Sequence, residues 1–310
     1  MRAETCPSDY ALDKDSFKKV ININNSTLYI VGGLYGNIES LKEINKMIEN
    51  EKDKDILLIF NGDMHWFDKS ADDFKKIEDM SENSQKLLGN VEKELFREGD
   101  YNGCGCSYPS YVSDDIVNRS NIIHKELKKV MDILPKYKNI LSGRKKNITV
   151  EMMGQKIAIT HGDEKSLSGW ECSNESLERY ERQNELDNWF IENDIDILAS
   201  THTCFPAAVK LKNGIVINNG AAGMPNFKGK LYGLITRISN SVNENAVYRD
   251  RINNLYAEAV PVRYDNDRFL KWFDNLWPLG SEASVSYRDR IINGTEYGIE
   301  KAVIKGFQIL

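Results

Sequence analysis

Apolar residues recur along this chain in two periods. Residues 27–31 (TLYIV) and 55–60 (DILLIF) are short, continuous, β-branched runs of the kind that form buried strands. Between them, residues 38–50 (IESLKEINKMIEN) place Ile38, Leu41, Ile44 and Ile48 on one helical face. The chain thus opens as a β-α-β unit with parallel strands, and ligand-binding loops are expected at the strand C-terminal ends. The first such loop holds Gly32, Gly33, Tyr35 and Gly36.

Further on, the charged stretch 72–88 reads as a helix and 102–112 (NGCGCSYPSYV) as a folded loop or small insertion. Residues 121–134 form an amphipathic helix pattern closed by Pro135. The run 147–160 reads as two strands turning at Met153-Gly154-Gln155 and delivering His161 at the end of the second. A helix over 175–193 is followed by a strand over 195–201 that ends at His202. Two strands, AAVKL and IVINN, flank a hairpin-type turn at Lys212-Asn213-Gly214, and 231–238 adds another. The last part, with AVPVRYD at 259–265 and the helix DRFLKWFDNLW, is expected to pack back on the same domain.

Composition narrows the classes. The chain has 310 residues, 41% hydrophobic and 28% charged, which suits one large globular domain or two small ones. No stretch approaches the roughly 18 to 20 consecutive apolar residues of a membrane span, and residues 1–19 carry no apolar run of signal-peptide length, so a cytoplasmic protein with no membrane partner is expected. A net charge of −6, with Arg144-Lys145-Lys146 the one short basic cluster, argues against nucleic acid as a partner. The five cysteines, Cys6, Cys104, Cys106, Cys172 and Cys204, are odd in number and scattered, so reduced thiols are expected. Cys104-Gly-Cys106 lacks the two-residue gap of zinc knuckles or thioredoxin-like motifs and reads as tight loop packing.

An ordered series of segments trails these strands: GGLYGN (32–37), NGD (61–63), GNVE (89–92), THGD (160–163), STHTC (200–204) and NNGAAGMPN (218–226). In that order and at those separations they resemble the motifs of calcineurin-like metallophosphoesterases, over about residues 28–265. The resemblance implies a four-layer α/β/β/α sandwich with two central mixed sheets. It divides the chain into an N-terminal extension (1–26), a phosphoesterase domain (27–265) and a C-terminal helical segment (266–310) packed on that domain. Carried over residue by residue, it puts Asp63 at the bridging position, Asn90 at the asparagine of the GN motif, His161 in the fourth motif and His202 at the first histidine of the fifth. Those four are the ligand set of one of the family's two metals.

The other metal keeps only Asp63 of its usual ligands. Gly33 and Tyr35 stand where the family has Asp and His, and Cys204 stands at the second histidine of the fifth motif. Val91 replaces the histidine thought to protonate the leaving group, a loss of about 10² to 10⁴ in rate for a positioned general acid. His65 and Glu92 are the neighbours that would supply the proton instead. One Asp, one Asn and two His suit a single divalent transition metal, Mn, Zn, Fe or Ni, held weakly or not at all. Gly33, Tyr35 and Asn37, in the first loop, are candidate substrate contacts. Arg144 is either a phosphate contact or a solvated side chain. The expected function is hydrolysis, by a metal-activated water, of a phosphoric ester in a small phosphorylated compound or nucleotide. The alternatives are a catalytically inactive member of the fold that binds a phosphorylated ligand or protein, and a thiol-dependent protein using Cys104, Cys106 and Cys204. Oligomeric state is not legible at this level.

Overall fold

The computed structural model describes residues 7–51, 55–99 and 102–310; Cys6 lies outside the described residues. In chain order the strands are β1 (Val20–Ile23), β2 (Thr27–Val31), β3 (Ile56–Asn61), β4 (Gln85–Leu87), β5 (Asn147–Met152), β6 (Gln155–Thr160) and β7 (Ile197–Ser200). They continue with β8 (Pro206–Lys210), β9 (Ile215–Asn219), β10 (Gly233–Ser239), β11 (Tyr248–Ile252), β12 (Leu255–Val262), β13 (Val303–Lys305) and β14 (Gln308–Ile309).

These strands form two mixed seven-stranded sheets, ordered β14-β11-β12-β10-β2-β3-β4 and β1-β5-β6-β7-β9-β8-β13. The period-2 alternation of a strand explains why both faces of each sheet are apolar. On β2, Leu28 and Ile30 share a core with Ile157, Ile159, Ile197 and Ile217 of the second sheet. The intervening Tyr29 and Val31 pack instead with Leu41 and Ile44 of helix Ile38–Asn50 and with Phe269 and Phe273 of helix Asn266–Leu276. On the second sheet Ala158, Leu198 and Val216 face outward onto Leu186 and Phe190 of helix Tyr180–Asn193. The result is the expected order of helix, sheet, sheet and helix. Among the described residues no helix is long and apolar enough to cross a membrane.

Three expected helices have different limits. The run 72–88 is a helix only over Ala71–Met80; β4 then runs parallel to β3, with Asn61 opposite Leu87. The pattern over 121–134 starts earlier, at Asp114, where the Ser113 side chain accepts from the Ile116 N–H, and breaks after Lys128. The pattern over 175–193 divides into Asn174–Leu177 and Tyr180–Asn193. Strands also form in both terminal segments. β1 pairs with β5, β13 with β8 and β14 with β11, so the segments 1–26 and 266–310 both contribute to the sheets. A helix over Glu282–Asn293 lies between Asn266–Leu276 and these last strands in the chain. The added edge strands are only two to four residues long and partly exposed, too short to carry a period of their own.

The strand ends that matter are tied together across the two sheets. Asn61, closing β3, donates its amide to the Thr160 carbonyl at 2.7 Å. Asn219, closing β9, donates to the carbonyls of Gly32 (3.0 Å) and Leu234 (2.8 Å).

Candidate functional site

Four of the sequence segments come together at these strand ends. Asp63 follows β3, Asn90 opens the short helix Asn90–Phe96 after β4, His161 follows β6 and His202 follows β7. The approach is close enough to require glycine. A Cβ at Gly62 would lie 2.5 Å from the Gly89 backbone and 2.7 Å from His161 Nδ1, and one at Gly89 would lie 2.2 Å from Asp63 Oδ1. Asp63 itself is left-handed (φ 52°), as are Tyr35 (55°) and Cys204 (58°) nearby, a conformation that costs a side-chain-bearing residue about 1–2 kcal/mol.

All four side chains are buried. His161 Nδ1–H donates to the Asn61 carbonyl at 2.8 Å, which turns Nε2 toward the other three side chains. That Nε2 lies 3.3 Å from Asp63 Oδ2, 3.1 Å from Asn90 Oδ1 and 3.2 Å from His202 Nδ1. Asn90 presents its oxygen there because its amide Nδ2 donates to the Cys104 carbonyl at 2.9 Å. His202 presents Nδ1 because its Nε2–H donates to the Cys106 carbonyl at 3.2 Å. Two oxygens and two nitrogens therefore face one another in a buried space, an arrangement that a cation between them satisfies. A proton on His161 relieves one contact, whereas a divalent metal relieves all of them. Asp63, His161 and His202 each offer a ligand atom within 4.8 Å of the others. The donor set thus fits a metal ion.

Electrostatics follow the same geometry. Burial pushes the Asp63 carboxyl up, but the facing imidazoles, His161 first, hold it below the usual carboxylate range. Burial lowers His161 and the Asp63 carboxylate more than offsets it, so His161 ends above the usual histidine range. Burial and His161 push His202 down to about 3, keeping it neutral.

The three positions at which the resemblance places ligands of the other metal, 33, 35 and 204, pack on one another. A Cβ at Gly33 (φ 66°) would lie 2.8 Å from the ring and hydroxyl of Tyr35, so the phenol occupies the space of a side chain at 33. The Tyr35 hydroxyl contacts Cys204 Sγ at 2.7 Å, and burial pushes both groups toward their neutral forms. Among the described residues Cys204 does not join the Asp63–His161–His202 cluster.

The remaining expected site residues have other work. Glu92 accepts from the backbone N–H groups of Asp63 (2.8 Å), Met64 (2.8 Å) and Gly89 (2.9 Å), clamping the Asp63 loop onto the helix. His65 is fully buried, with Nδ1 2.6 Å from Asp68, Nε2 2.9 Å from Glu78 and its ring stacked on Phe74 at 3.7 Å. Burial lowers its pKa, but the two carboxylates outweigh this and push it up to about 9. Neither residue has an atom left to pass a proton to a ligand, a correction to their expected role. Arg144 corrects likewise: its side chain is buried and grips Glu78 at 2.6 and 2.7 Å. Asn37 caps helix Ile38–Asn50 through Ser40 N–H and donates to the Gly223 carbonyl. Of the four proposed substrate contacts, only Tyr35 lines a cavity at the cluster.

The expectation of reduced thiols is also corrected. Cys104 and Cys106 form a disulfide, with Cα atoms 5.4 Å apart, the chain turning through Gly105 (φ 67°). Cys172 and Cys204 are free. The carbonyls of this loop, which orient Asn90 and His202, have no sequence signal. Nor has Trp170, whose Nε1–H donates to the Cys106 carbonyl at 2.9 Å.

No protein-family model matches the sequence, and no curated protein matches it. Solved structures do. A metallophosphoesterase from Sphaerobacter thermophilus is similar at 11% identity over 87% of this chain and 100% of its own, with a TM-score of 0.54. A hypothetical protein from Pyrococcus horikoshii OT3 is similar at 11% identity over 87% of this chain and 98% of its own, with a TM-score of 0.58. With two central sheets flanked by helices and this agreement over nearly the whole of both structures, the chain has the calcineurin-like metallophosphoesterase fold.

Proposed function

We propose that this protein is a metal-dependent phosphoesterase acting on a small phosphorylated molecule and working with one divalent transition metal. Asp63, Asn90, His161 and His202 hold that metal. The observation that carries this reading is the convergence of four acceptor atoms on one buried point, each turned inward by a hydrogen bond on its far side. For Asp63 that support is the Val91 N–H on Oδ1 at 3.2 Å. Such outer partners fix tautomer and direction and raise ligand basicity. The mixed nitrogen and oxygen set suits Mn, Zn, Fe or Ni.

When bound, the metal supplies Lewis acidity that favours attack of water on a phosphoryl centre. The chain's own residues set the rest of the chemistry. Tyr35 and Cys204 fill the neighbouring position, so this reading uses one metal and lacks a paired clamp on attacking and departing oxygens. With His65 and Glu92 fully engaged, no side chain of theirs protonates the leaving group, which favours esters whose alcohol departs readily.

Elemental analysis of the tag-free protein after incubation with Mn or Zn tests the reading. About one metal per chain is expected, lost in His161→Ala together with phosphoester hydrolysis. Hydrolysis that survives in His161→Ala overturns the site.

A further inference from the structure

A cavity of about 170 Å³ opens beside the cluster, with Asp63 and His202 in its wall. A ligand group held at the cluster therefore continues into it. Five aromatic residues, Tyr35, Trp66, Tyr108, Trp170 and Tyr287, share the rest of the wall with aliphatic, sulfur-bearing and hydroxyl side chains. Tyr108 and Trp170 pack at 5.8 Å between ring centroids, and Trp170 meets the His202 ring edge-on at 5.3 Å. An apolar cavity of about 150 Å³ accepts a benzene ring, so this one has room for a single small ring system. The Trp66 indole N–H forms no hydrogen bond of normal geometry, and the Tyr287 hydroxyl lies beside it. The wall presents flat aromatic faces.

No lysine or arginine lines the cavity. Arg290 is outside the wall and is held by the carbonyls of Pro225 (2.7 Å) and Cys204 (2.8 Å). The charge available to a substrate is then simple. A divalent metal and the Asp63 carboxylate sum to a single positive charge, because the other three ligands are neutral when coordinated. A phosphodiester carries one negative charge and balances it. A dianionic phosphomonoester would leave a second charge against aromatic rings, an expensive burial.

We infer that the cavity is a subsite for an uncharged aromatic group, and that the site selects monoanionic aryl phosphodiesters over dianionic monoesters. The inference rests on the proposed metal site for its charge balance, and on the cavity alone for its aromatic preference. Hydrolysis forms one P–O bond from water and breaks the bond to the aryloxy group. The departing oxygen keeps the bonding pair, and the surplus proton of water passes to solvent. An aryl oxide is weakly basic and leaves without a proton donor, in keeping with the engaged His65 and Glu92.

Calorimetric titration of the full chain with diphenyl phosphate and with phenyl phosphate, with and without saturating Mn, tests this. Diphenyl phosphate should bind at least tenfold more tightly than phenyl phosphate to the Mn-loaded protein, and retain detectable binding without Mn. Ile116, exposed on the cavity rim, provides variants that keep the fold. Ile116→Glu should weaken diphenyl phosphate binding, and Ile116→Lys should narrow the gap between the two ligands, both at unchanged metal stoichiometry. Equal or tighter binding of phenyl phosphate, or no diphenyl phosphate binding by protein shown to hold Mn, overturns the inference while leaving the metal site standing. Diphenyl phosphate binding by a chain that takes up no metal supports the aromatic subsite and removes the metal reading.

Discussion

Two buried histidine clusters sit close together in this molecule, and they are built on opposite plans. Around His65, donors and acceptors match: Asp68 and Glu78 take both ring nitrogens, Arg144 and Lys86 cover Glu78, and the Trp66 backbone N–H reaches Asp68. Around His161, acceptors face acceptors, with Asp63, Asn90 and His202 all turned toward one nitrogen. Burial and shifted pKa values are common to both and do not tell them apart. What separates a structural cluster from a ligand site is the leftover coordination capacity, because a satisfied network has nothing to offer a ligand and an unsatisfied one is costly without it.

The contrast is broken most directly by paired alanine variants. His161→Ala should abolish stoichiometric metal uptake and, in the metal-free protein, lower the urea midpoint less than loss of His65 does, since it strands one buried carboxylate, Asp63, rather than two. His65→Ala should lower stability by about 3–5 kcal/mol by stranding two buried carboxylates, while the folded fraction still binds metal. If His65→Ala loses metal at unchanged stability, the assignment of the two clusters is reversed.

A pH series sharpens the same comparison. His65 is raised in the folded state from an ordinary value near 6.5 to about 9, so its stabilisation is complete below pH 6.5 and is lost as pH rises through 9. Glu78 is lowered below its ordinary 4.5 by its partners, although burial opposes them, so its contribution is present above pH 4.5 and falls away as pH drops. The urea midpoint should therefore be highest between about pH 4.5 and 6.5 and decline on the alkaline side. His65→Gln should flatten that alkaline decline; an unchanged slope would mean that His65 is not the group responsible.

The smallest effect is expected from Trp170→Phe. It keeps a ring in the cavity wall but removes the N–H that shares the Cys106 carbonyl with His202. Metal affinity should change by about tenfold, at the low end of what loss of an outer partner does to a metal site. Calorimetry with Mn would register this, and a complete loss of binding would show that the loop rather than the ligands sets the site.

Much of the architecture was legible because it is encoded locally. The runs at 27–31, 55–60 and 147–160 are long and apolar enough to announce buried strands, and Asp63, His161 and His202 come directly after such strands. Their convergence was legible only through the resemblance, since nothing within any one segment says which strand ends will meet. His65 and Arg144 were misplaced for the same reason. A histidine or arginine in a loop has the same letter whether its partners are solvent or Glu78, and Glu78 lies on a different element.

By itself the sequence determined the long buried strands and their order along the chain, because periodicity is a property of neighbouring residues, while the four residues able to share a cation came from the resemblance. The tertiary structure decided which nitrogen His161 offers, that Tyr35 closes the space beside Gly33, and that rings from positions 66, 108, 170 and 287 enclose one cavity. Those facts depend on contacts between residues far apart in the chain, where packing and hydrogen-bond completion, not local propensity, set the outcome.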